Sequence, residues 1–183
     1  MLGIGWQWAL VGFVVWGVRK RSVGLAELIG GRWPNVKAVF LDLAGAVLFL
    51  FVSYVVLGLL AIALKPGKNA AISGLLPHGL TEILFYLGLA LSAGVTEEII
   101  FRGYLQKQLS AISNSVTFAV IVQGIVFGAS HGYQGGKRML IVGVFGCLFG
   151  ALAVRRGSLR PGMIAHALHD GFLGVVWALI RHQ

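Results

Sequence analysis

Charge is scarce in this chain. Of its 183 residues 11% are charged, and Asp and Glu together number 6. A soluble domain carries about 25% charged residues, because its surface faces water. Hydrophobic residues make up 57% and the mean hydropathy is +0.86, which leaves too little polar surface to wet a soluble globule. Lipid is therefore the expected solvent. Cysteine is scarcer still: one thiol, Cys147, sits in an apolar stretch. No intrachain disulfide can form, and such a thiol reads as a small apolar filler. Also missing is any basic helix or aromatic-basic platform. The net charge of +9 thus does not point to nucleic acid. The basic residues fall mainly between apolar stretches, where they orient a protein in the bilayer and meet anionic lipid.

Six stretches approach the roughly 20 apolar residues that a spanning helix needs: 2–18, 38–64, 80–107, 115–134, 139–154 and 161–180. The expected fold is all-α, a polytopic bundle of about six transmembrane helices. It forms a single membrane domain over 1–183 in the cell membrane. Arg19, Lys20 and Arg21 follow the first stretch rather than precede it, the reverse of a signal peptide, so that stretch reads as a retained helix. The fifth carries Gly143, Gly146 and Gly150, a spacing that permits close helix packing. Arg19, Lys20, Arg21, Arg32, Lys37, Lys107, Arg155, Arg156 and Arg160 fall on one side of the membrane, against Lys65, Lys68, Lys137, Arg138 and Arg181 on the other. The excess puts the first side in the cytoplasm and both termini outside.

Four acidic residues, Asp42, Glu97, Glu98 and Asp170, fall within apolar spans. A charge at the centre of a membrane helix costs about 2.5–3.5 kcal/mol on insertion scales, faces a cavity or a partner, and marks function by default. The first cluster is Glu97-Glu98-x-x-x-Arg102. Glu98 and Arg102, four apart, share a helical face and can pair. Glu97 is turned about 100° away and can keep a free carboxylate. The second is Phe127-x-x-x-His131 and the third His166-x-x-x-Asp170, each again on one face. His169 lies about 60° from His166, near enough to contribute. With helices centred on a common plane, Glu97, His166 and Asp170 come to similar depth, while His131 falls about two turns away. Tilt, or a break at Gly124 or Gly128, is then required to bring it in.

In these three motifs, and in Phe101-Arg102-Gly103-Tyr104-Leu105-Gln106 after the first, the chain resembles the CAAX protease and bacteriocin-processing (Abi) family of glutamate-type intramembrane proteases. The resemblance covers about 80–177, the expected protease-like core. It implies hydrolysis of peptide bonds in membrane-associated substrates, without a cofactor. Glu97 and His131 would activate water, and His166 with residue 170 would stabilise the oxyanion. Glu98, Arg102 and Phe127 would support them. The family has Asn where Asp170 stands here. An ionised carboxylate donates no hydrogen bond, so Asp170 is either protonated or orients His166 and keeps it cationic; the second is the expectation. Two other readings stand beside this one. Glu97, His131 and His166 could ligate zinc, although no His-Glu-x-x-His motif is present. The polar seam could instead serve a non-catalytic immunity or transport component.

Overall fold

The computed structural model describes residues 4–67 and 74–181. Leu2 and Lys68, which entered the reading above, lie outside the described residues, as does the side chain of Arg181. Among the described residues all regular structure is helical. The order is α1 (Ile4–Arg19), a single turn α2 (Leu25–Leu28), α3 (Val36–Leu64), α4 (Leu80–Glu97), a π-helical segment (Glu98–Leu105), α5 (Gln106–Ser113), α6 (Val116–Ser130), a 3-10 turn (Gly132–Gln134), α7 (Gly136–Arg156) and α8 (Arg160–Arg181).

The polytopic helical bundle forms as expected, but the six spans differ in kind. Val36–Leu64, Leu80–Ser113, Gly136–Arg156 and Arg160–Ile180 are long and apolar enough to cross a membrane. The stretches read as the first and fourth spans are shorter helices, with 16 residues in α1 and 15 in α6. At about 1.5 Å per residue they reach about 24 and 22 Å, short of a hydrocarbon core of about 30 Å. The fourth stretch ends early because the chain turns at His131 into the 3-10 segment and then meets Gly135 at φ 87°. Hydropathy is blind to that turn.

The third stretch is longer than expected. Leu80 to Lys107 is the expected span, yet the rod runs on to Ser113. Asn114 ends it in the left-handed region, at φ 54°. One residue later Ser115 caps α6, its hydroxyl accepting from the Phe118 N–H at 3.2 Å, which satisfies an otherwise orphaned helix-start donor. α5 and α6 are thus a tight hairpin that turns in two residues. Its register is read from three contacts: Gln106 Nε2 donates to the Gly150 carbonyl, Gln123 Nε2 to the Gly146 carbonyl, and the Arg102 guanidinium lies 4.3 Å from the Phe127 ring centre. Gln123 and Arg102 share the Gly146 carbonyl and Phe127 lies against the Arg102 guanidinium, so α6 runs back along the π-helical segment.

Small residues let α6 and α7 meet backbone to backbone, as the glycines of α7 suggest. A Cβ added at Gly128 would lie 2.5 Å from the Met139 carbonyl oxygen and 2.8 Å from Gly143 Cα. Cys147 fills the space beside Gly124. On the other side of α7, Phe145 and Phe149 pack with Ala46 and Leu50 of α3 and Ala165 of α8. α1 docks Val11 and Val14 against Ile99 and Leu159.

Asp42, one of the four acidic residues in apolar stretches, proves to be a structural clasp. It is 3% exposed and accepts from Trp33 Nε1 at 2.8 Å and Arg156 Nη2 at 2.9 Å. Arg160 Nε lies 3.1 Å from its other oxygen, an ionic contact without hydrogen-bond geometry. Asp42 therefore ties the start of α3 to the α7–α8 turn. Lys107 and Arg160 donate to the carbonyls of Leu28 and Gly31 at this same end of the bundle, whereas Arg138 donates to Gly67 at the other. Among the described residues these contacts put Lys107 and Arg160 at one end of the bundle and Arg138 at the other.

Gly128→Ala should be destabilising by about 1–3 kcal/mol, the usual cost of overpacking, because backbone faces it on both sides. Gly88→Ala, where an added Cβ meets nothing within 4 Å, should stay within about 1 kcal/mol of wild type. Thermal unfolding of the two variants in detergent tests the pair.

Candidate active site

The first cluster lies where α4 passes into the π-helical segment. There the Gln106 N–H reaches back to the Phe101 carbonyl, five residues away. Such bulges re-aim side chains and recur at functional sites. The expected pair forms: Arg102 Nη1 donates to Glu98 Oε1 at 2.9 Å, with both side chains 0% exposed. Arg102 Nη2 donates to the Gly146 carbonyl at 3.1 Å, and the guanidinium lies 5.1 Å from the Phe149 ring centre. Arg102 thus has a carboxylate, a carbonyl and aromatic faces around it, as a cation in an apolar core requires.

Glu98 has a second partner. His166 Nδ1 lies 3.2 Å from the same Oε1. A carboxylate only accepts, so Nδ1 carries the proton and donates. A second N–H at Nε2 then exists only in the imidazolium form. Nε2 faces two more carboxylate oxygens, Glu97 Oε2 and Asp170 Oδ2, each at 3.7 Å. α4 and α8 come close enough for this because Gly94 lies against the backbone of α8, where an added Cβ would stand 2.9 Å from both Ala167 N and the Met163 carbonyl oxygen. Glu98 holds the far ring nitrogen in a hydrogen bond, while Asp170 sits beyond hydrogen-bond distance on the Nε2 side.

Glu97 turns away from Glu98 and Arg102, as its position one residue on dictates. Its Oε1 accepts from Gln7 Nε2 of α1 at 2.9 Å. Its Oε2 is buried and has no hydrogen-bond partner in the protein. The side chain is 14% exposed, against 31% for Asp170, so Glu97 forms the floor of the site and Asp170 part of its rim.

His131 is the half-exposed residue that ends α6. Its Nδ1 lies 2.9 Å from the Phe127 carbonyl oxygen. A carbonyl accepts, so Nδ1 donates and Nε2 is left with its lone pair. The Phe127 ring, 2% exposed, has its centre 4.8 Å from that of His131 and 6.1 Å from that of His166. One buried aromatic thus stands between the two histidines. His131 lies beside His166, across the Phe127 ring that both approach. Of the two means expected, a break is absent: α6 is unbroken at Gly124 and Gly128, which seat α7. The α5–α6 hairpin starts α6 further along the bundle, and a 15-residue helix then ends at the depth of Glu98. His169 does not join the site. Its ring packs on Phe145 and its Nδ1 meets Tyr54 Oη at 3.0 Å.

Gln7 escaped the sequence reading, which searched apolar stretches for ionisable groups. The signal was present: Gln7 continues the stripe Val11, Val14 and Val18 that docks α1. Among the described residues no group of three or more His, Cys, Asp or Glu side chains is arranged to hold a metal ion.

A family model described as type II CAAX prenyl endopeptidase Rce1-like matches residues 79–172, just over half of the chain. The match takes in Glu97, Glu98, Arg102, Phe127, His131, His166 and Asp170, and leaves out α1 to α3. No curated protein and no solved structure matches the chain. The chain belongs to the Rce1-like family of type II CAAX prenyl endopeptidases.

Proposed function

We propose that the protein is a glutamate-type intramembrane endopeptidase that needs no metal and cleaves membrane-associated peptides or proteins, prenylated ones included. The family supports a membrane endopeptidase in general. The observation that carries the mechanism is the unpartnered Glu97 Oε2, 3.7 Å from an imidazole whose other nitrogen is already held.

In this reading Glu97 Oε2 takes a proton from water, and the lone pair of His131 Nε2 accepts the water's other hydrogen. The water oxygen attacks the peptide carbonyl carbon. The carbonyl oxygen, gaining the electron pair, is met by the N–H of a cationic His166 Nε2. Donors aimed at an oxyanion in a water-poor site supply a large share of the barrier reduction in acyl transfer. Collapse of the intermediate breaks the C–N bond, and Glu97 returns its proton to the leaving amine. Asp170 serves as counter-ion to the imidazolium from the Nε2 side. Glu98 and Arg102 hold the imidazole in place, and Phe127 spaces the two histidines. The basic end of the bundle faces the cytoplasm by the positive-inside rule.

Purified protein in liposomes, assayed with a farnesylated CAAX peptide and with a non-prenylated membrane-anchored peptide, tests this. Glu97→Gln should lower turnover by about 10²–10⁴-fold, the usual worth of a general base, with folding intact, and chelator should leave the wild type active. Undiminished cleavage by Glu97→Gln sinks the reading, and zinc-restored activity after chelation revives the metal alternative.

Asp170→Asn addresses the departure from the family. Unit charges about 4 Å apart interact by about 1 kcal/mol in water and about 4 kcal/mol at the effective dielectric of a protein. Turnover should therefore fall about fivefold or more. Equal or faster cleavage would show that the charge at position 170 is dispensable.

A further inference from the structure

We infer that Gln7 of α1 is a positioning residue for Glu97, and so that the first helix, outside the family match, completes the active site. The inference rests on the proposed role of Glu97. Gln7 Nε2 donates to Glu97 Oε1 at 2.9 Å across 90 positions of sequence. The amide oxygen lies 3.3 Å from Thr96 Oγ1. Thr96 Oγ1 is itself held by the Ser92 carbonyl at 2.9 Å, so the amide meets α4 at two points.

An ionised carboxylate accepts and cannot donate, so the nitrogen end of the amide must face Glu97. That bond occupies Oε1 and sets the carboxylate plane. Oε2 is then the only oxygen left open, and it is the one near His166 Nε2. Without Gln7 the carboxylate could rotate about its last bond or swing toward Gln7's space, and neither oxygen would be held at the reacting carbonyl. The remaining charged or titratable groups about Glu97 are Glu98 and Arg102 on its own rod, His166 and Asp170 on α8 and His131 at the end of α6. None of these donates a hydrogen bond to Glu97 Oε1.

The position of Gln7 is itself held firmly. Val11, Val14 and Val18, on the same stripe one to three turns on, pack on Ile99 and its neighbours. Trp8 Nε1 donates to Ser92 Oγ at 2.9 Å. A hydrogen bond made to a side chain on a docked helix loses little entropy, which is the condition for precise placement of a catalytic group.

The test is the full-length protein in liposomes with the farnesylated CAAX peptide as probe. Gln7→Met keeps length and apolar packing and removes the donor. Its kcat should fall about tenfold, the scale of a hydrogen bond to a charged group, with KM within about twofold and the unfolding temperature unchanged. Gln7→Glu, which sets a second carboxylate against the first, should fall further. Glu97→Asp withdraws the carboxylate from the amide, so adding Gln7→Met to it should cost no additional activity. A tenfold additional loss there, or a Gln7→Met that raises KM or lowers the unfolding temperature in step with kcat, would overturn the inference in favour of a merely structural contact. A wild-type kcat in Gln7→Met alongside an inactive Glu97→Gln would overturn it while leaving the proposed function standing.

Discussion

The Glu98 carboxylate organises everything else in the bundle. It is wholly buried in a chain whose surroundings are apolar, and one of its oxygens serves two donors, Arg102 and His166. Taking Arg102 away leaves the carboxylate with the imidazole as its one donor, and breaking a buried pair costs about 3–5 kcal/mol in comparable cases. That is a large share of the stability of any domain. Arg102 extends the link to the Gly146 carbonyl of α7 and lies against Phe127 of α6. Four helices therefore meet around a single acidic side chain. Their mutual position is set by the need to satisfy it.

The same constraint explains the division of labour between two adjacent glutamates. Glu98 spends one oxygen on Arg102 and His166, and its other oxygen is closed in against Gly162 without a hydrogen-bond partner. Glu97, rotated out of that network, has one oxygen held by α1 and one left open. The imidazole between them is fastened at Nδ1 by the first and presented at Nε2 to the second. A rigid hydrogen-bonded support behind a sparsely bonded reactive face is what preorganised catalysis needs. Asp42 illustrates the opposite case. It is more deeply buried than Glu97, but two hydrogen-bond donors and the Arg160 guanidinium enclose it and leave no open face.

Depth along the bundle was the feature hardest to read from the chain. Centring each apolar stretch on one plane treats the helices as independent rods, and it put His131 two turns from its partners. The rods are not independent. The polar run Gln106–Ser113 stays helical because Gln106 finds a carbonyl on α7 and because Asn114 and Ser115 close a two-residue turn. α6 therefore starts late and ends at the right depth. His169 misled for a related reason: a helical wheel gives its angle to His166 but says nothing of Tyr54 and Phe145, which draw it elsewhere.

The sequence by itself determined the solvent, the helical class and the pairing of Glu98 with Arg102. These follow from composition and from spacing along one helix, which are local quantities. It also determined that Glu97 would stand apart from that pair, since neighbouring residues on a helix cannot share a face. Only the tertiary structure decided which nitrogen of His166 is held and by what, that Asp170 stays out of hydrogen-bond range, how His131 reaches the site, and that Gln7 closes over Glu97. Each of these depends on contacts between residues far apart in the chain, where helix register and crossing, rather than spacing, set the distances.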